Sequence, residues 1–162
     1  MTAAPAASAA QSKAPVATGS VEPCKLVKVL LGVDTVASVE RDIKARGGTP
    51  SVGGTGSVGK FRMSAMNGDF ADAGPGVMAV NYDFAASDPA GKLIGITISR
   101  HVQFGAPYAK LAADRKAFLA TAFGDLKSKS ATESTGMRSG CTLSLHENPD
   151  GGWLYEVYQL AK

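Results

Sequence analysis

No stretch of this 162-residue chain approaches the run of about 18 apolar residues that a membrane-spanning helix needs. Charge of one sign is also missing. Seventeen Lys and Arg stand against fourteen Asp and Glu, a net charge of +3, and the two signs are interspersed. A nucleic-acid protein would gather its bases into a stripe along the phosphate backbone, so that class is excluded. There are two cysteines and two histidines, and none has a second Cys or His at zinc-ligand spacing, so no metal site is expected. No G-x-S-x-G elbow is present. What is present is a hydrophobic content of 44%, enough for a buried core, and a length suited to one domain.

Residues 1–22 are mostly Ala, Pro, Ser and Thr and cannot bury enough apolar surface to offset the entropy of ordering them. They read as a disordered tail ahead of a single domain over 23–162. The tail lacks the basic and apolar regions of a signal peptide. Two readings stay open: a tether of the kind that follows an export signal or lipid anchor, which places the domain in the periplasm or outside the cell, or the flexible N-terminus of a cytoplasmic protein. Tethers of this composition favour the first. Cys24 opens the domain and Cys141 precedes a late strand. A disulfide between them would close a long loop and stabilise the fold by about 4–5 kcal/mol on the chain-entropy model; two separate buried thiols are the alternative.

Lys25–Leu31 is aliphatic and reads as a first strand. Asp34 or Thr35 can cap a helix running to Arg46, with Val36, Val39 and Ile43 on one face and Gly47-Gly48 as its stop. Ser51–Lys60 is a glycine-rich loop. Phe61–Ala65 alternates, as does Met78–Phe84, which sends Met78, Val80, Tyr82 and Phe84 to one side. Leu93–Arg100 does the same with Ile94, Ile96 and Ile98. Pro107 suits the first position of a second helix ending near Gly124. Lys127–Gly140 has no apolar period and reads as a mobile loop. Thr142–His146 and Trp153–Leu160 form a hairpin about the strong turn Asn148–Gly152. Short turns between neighbours imply an α+β fold: a mostly antiparallel sheet of five to six strands, with two helices packed on one face. No repeat of fixed period is visible.

The opening Leu31-Gly32-Val33-Asp34-Thr35, followed by Val39-Glu40, Ile43 and Gly47-Gly48-Thr49-Pro50, resembles the start of small bacterial envelope domains. These are the SmpA/OmlA-like outer-membrane assembly lipoproteins and the β-lactamase-inhibitor-like fold. The likeness covers about 20 residues and the order of elements. It implies a binding or scaffolding role in the envelope, and it carries over no functional residue.

Gly54-Thr55-Gly56-Ser57-Val58-Gly59-Lys60 fits a phosphate-binding glycine pattern, but it follows a helix stop and precedes a strand. Phe61 stands where magnesium would need a hydroxyl, so the segment reads as a plain loop and no cofactor is expected. Cys141 and His146 fall on opposite faces of one strand, about 16 Å apart, which disfavours a thiol–imidazole pair. Arg100-His101 lies where a strand gives way to a helix, a common place for sites. Trp153, Tyr155 and Tyr158 sit on a last strand that is apolar on both sides. Such a strand is either covered twice or faces a partner, and two helices cover one side only. No catalytic residue is expected. The expectation is a non-enzymatic binding or scaffolding domain engaging a protein or cell-envelope partner through Trp153, Tyr155, Tyr158, Arg100 and His101. The alternative is a small hydrolase using His101 near the loop before Pro107.

Overall fold

In a computed structural model, residues 25–26, 28–54, 61–102, 107–138 and 140–161 are described. A short hairpin, β1 (Lys25–Leu26) and β2 (Val29–Leu30), stands apart from the main sheet. Lys28, at φ 69°, makes its turn, so Lys25–Leu31 is not one strand. Helix α1 (Val36–Ala45) follows. Thr35 is its N-cap, and Thr35 and Ser38 bond each other's backbone N–H in a capping box. Strands β3 (Thr49–Val52), β4 (Phe61–Met66), β5 (Val77–Phe84) and β6 (Leu93–His101) come next, with a single 3-10 turn at Ala71–Ala73. Helix α2 (Tyr108–Phe123) leads to β7 (Lys127–Ser130), β8 (Glu133–Arg138), β9 (Cys141–Asn148) and β10 (Trp153–Leu160).

The eight long strands make one sheet in the order β3-β4-β5-β6-β10-β9-β8-β7, every neighbour antiparallel. This overturns the expected α+β sheet of five to six strands under two helices: the chain is mostly β. The strands that sequence reading passed over are β3, β7 and β8, all at or next to a sheet edge. Edge strands are short and polar so that they do not pair with other molecules. β7 reads Lys-Ser-Lys-Ser and is fully exposed, while β3 contains Pro50, whose missing N–H is tolerated at an edge. Lys127–Gly140, expected to be a loop, is therefore mostly a hairpin.

The element order repeats. A helix followed by four strands occurs twice, and the two units meet antiparallel along β6 and β10. Counterpart strands begin at Thr49 and Lys127, Phe61 and Glu133, Val77 and Cys141, Leu93 and Trp153. The interval shrinks along the chain because the loops of the first unit are longer, so no fixed sequence period survives.

Buried residues of both helices, among them Val39 and Ile43 of α1 and Leu119 and Phe123 of α2, join one cluster with alternate strand residues such as Tyr82, Ile98, Leu145 and Leu154. Burying each large apolar side chain contributes about 1.5–3 kcal/mol. Two bulges break the expected alternation. Val77 pairs Arg100 and Ala79 pairs Ser99, leaving Met78 out of phase and 49% exposed; Ile94 is skipped likewise between Leu93 and Gly95. The opposite phase of the strands carries Thr97 on β6, Val157 on β10 and Ser144 on β9. These are half-buried, and among the described residues no helix lies over them.

Candidate functional site

The seam between β6 and β10 sets out two clusters on opposite sides of the sheet. Trp153 pairs His101, Tyr155 pairs Ser99 and Val157 pairs Thr97, all pointing away from the core. Leu154, Glu156 and Tyr158, opposite Arg100, Ile98 and Ile96, point into it.

On the open side the rings of Trp153 and Tyr155 stack at 5.9 Å with planes 6° apart, and the His101 ring lies 4.5 Å from Trp153. His101 is held through its Nε2, 3.1 Å from the carbonyl of Gly151 in the β9–β10 turn. Gly152 permits that approach: a Cβ there would come within 2.7 Å of Val102 Cγ2 and 3.4 Å of His101 Nε2, and its φ is +70°. His146 flanks Tyr155 and is flanked by Glu133. Two pairs of charges on this side are matched. Arg62 grips Asp83 through two bonds of 2.7 and 2.9 Å, and Lys129 reaches Glu133 at 3.2 Å.

On the inner side, the carboxylate of Glu156 is fully buried between two guanidiniums. Arg100 Nε donates to Oε2. Arg115, from α2, donates Nη2 to Oε1 at 2.6 Å and Nε to Oε2 at 3.2 Å, and the Tyr158 hydroxyl donates to Oε1 at 2.6 Å. Burial works against the charged form of Glu156. The hydrogen bonds and charges of Arg100 and Arg115 outweigh it and hold the carboxyl below its usual range. The Tyr158 phenol is pushed up, by burial first and then by the adjacent carboxylate. Arg100 also donates to the carbonyls of Ala73 and Pro75, tying the β4–β5 connection to the seam. Gly74 closes over both guanidiniums at φ +88°, and a Cβ there would stand 3.1 Å from Arg115 Nη1.

Of the expected contact residues, Trp153, Tyr155 and His101 are brought together. Tyr158 and Arg100 are not: they are 1% and 0% exposed on the other side of the sheet, where they hold Glu156. Strand alternation separates them, since 153 and 155 share a phase that 158 does not. Glu156 and Arg115 escaped sequence reading. Their signal was a charged residue at a core phase, Glu156 between Leu154 and Tyr158 and Arg115 between Ala112 and Leu119. Cys141 is buried opposite Leu160, whereas Cys24, the tail and the segment 55–60 lie outside the described residues.

Beside His101 a cavity of about 370 Å³ is lined by Pro75, Gly76, Val77, Met78, Val102 and Leu111. None of these is a carboxylate, hydroxyl or thiol that could work with an imidazole as a nucleophile or an orienting group. Among the described residues, no three His, Cys, Asp or Glu side chains gather in a metal-binding arrangement. No helix among the described residues is long and apolar enough to cross a membrane. A scan against protein-family models, a search of curated proteins and a search of solved structures each give no match.

Proposed function

We propose that this chain is a non-enzymatic binding or scaffolding module of the bacterial envelope, secreted or periplasmic, which holds its partner against the open side of the sheet. The observation that carries the reading is the set Trp153, Tyr155 and His101, fixed side by side over the seam on a face that no described helix covers. Stacked aromatics pre-ordered by a rigid strand lose little entropy on binding, the property of an interface anchor. The Ala/Pro-rich tail and the likeness at Leu31–Pro50 to envelope domains support the compartment. A disulfide between Cys24 and Cys141 belongs to the same reading.

Photo-crosslinking tests the face. A benzoylphenylalanine placed at Thr97, on the open side, is expected to give crosslinked products in producing cells. The same group at Ala113, on the exposed surface of α2, is expected to give none. Equal crosslinking at both positions, or products at Ala113 alone, would discard the open side as the binding face. The disulfide is read by intact mass after alkylation: two added alkyl groups without prior reduction would refute it.

A further inference from the structure

The open side is short of charge and of bulk hydrophobe, but rich in hydroxyl and amide groups. One row crosses six strands in register: Ser64, Asn81, Thr97, Val157, Ser144 and Thr135. Along the next row Ser99, Tyr155 and His146 stand side by side. Some of these groups are already used, as where Ser64 bonds Asn81. The side chains of Thr97, Ser99, Ser144, Tyr155 and His146 make no hydrogen bond to any described residue. Of the charged groups beside them, Arg62 is cancelled by Asp83 and Lys129 by Glu133, while Lys127, opposite Thr135 on the edge strand, adds a positive charge at the end of the row.

These facts select among occupants. A polyanion or polycation would find no field of one sign to meet it. A protein partner of ordinary composition would bring charges and scattered donors, leaving the hydroxyls that flank Val157 without partners, at a cost for each group dried and unpaired. A chain of sugar rings fits better. It presents donors and acceptors at every ring, carries no charge, and offers apolar ring faces suited to aromatic side chains. Successive strands stand about 4.8 Å apart, so Ser144 and Thr135 lie one such spacing from each other, while Thr97 and Ser144 lie two spacings apart across Val157.

We propose that the open side binds an uncharged glycan chain, with ring faces against Trp153 and Tyr155 and hydroxyls bonded to Thr97, Ser144 and His146. The inference rests on the reading of that side as the binding face and names the chemistry of the occupant. Trp153 is the only tryptophan, so its emission reports directly on the site.

The experiment titrates the purified full chain with cellohexaose, maltohexaose and chitohexaose while following that emission. At least one is expected to give a saturable change, with an affinity unaltered between low and high salt. Tyr155→Ala is expected to weaken it about tenfold, the loss of one aromatic contact. Thr97→Val, which keeps shape and strand preference but removes the hydroxyl, is expected to weaken it severalfold with an unchanged melting temperature. No saturable change with any of the three sugars overturns the inference, as does binding that both variants leave intact. Crosslinking separates the two failures. Crosslinks from Thr97 to polypeptide, without sugar binding, overturn the glycan and leave the open side as a binding face. Neither signal overturns both.

Discussion

Glu156 and Arg115 are the side chains whose removal the fold tolerates least. An ion buried without its partner costs several kcal/mol, and this carboxylate collects donors from Arg100, Arg115 and Tyr158. Glu156→Ala strands two guanidiniums in the core and is expected to lower the unfolding free energy by about 3–5 kcal/mol, measured by urea denaturation. The pH dependence has a definite sign. Because the folded state holds Glu156 below its usual value, its contribution is complete above the unfolded value of about 4.3 and is lost as pH falls through the lower folded value. The urea midpoint should therefore drop steeply in that acid range, and Glu156→Gln should flatten the drop; an equal slope in both proteins would refute the assignment. Tyr82 is the reverse case. Its hydroxyl is buried with no hydrogen-bond partner among the described residues, and burial pushes its titration up. Tyr82→Phe removes that group at nearly constant shape and is expected to gain about 1 kcal/mol on the same assay.

Among the elements, those with a strong period or a strong cap were legible in the sequence. Thr35 caps α1, Gly124 ends α2, and the Asn148–Gly152 turn joins β9 to β10. The edge strands were not, because a strand with no neighbour on one side is selected for polarity and shortness, which look like a loop. The bulges at Met78 and Ile94 were hidden for another reason: a bulge shifts phase without changing composition. The aromatic half of the site could be read from period two, whereas the ion cluster required knowing which strands and helix lie together. Gly136 on β8 shows how closely α2 approaches. A Cβ there would come within 2.9 Å of both Phe123 and Leu126, so Gly136→Ala must push the helix from the sheet. The expected loss is about 1–3 kcal/mol in urea unfolding, and a neutral result would mean that α2 shifts freely.

For the molecule as a whole, the two helix-plus-four-strand units share both their backbone seam and their buried charges. Arg100 belongs to the first unit, Glu156 and Arg115 to the second. Arg115 and Glu156 pair within the second unit, but Arg100, the buried cation of the first, has its carboxylate only in the second. Unfolding is therefore expected to be a single transition, with Trp153 emission and far-ultraviolet circular dichroism coinciding across the urea range. Separated midpoints would show that the units come apart independently.

The placement of Trp153 over the line where the units join has a mechanical outcome. A ligand lying across Thr97 and Val157 grips both units at once and acts as a clasp. Occupancy would then register as resistance to heat and to pulling at the chain ends, so that a load applied across the protein is borne partly by whatever it holds.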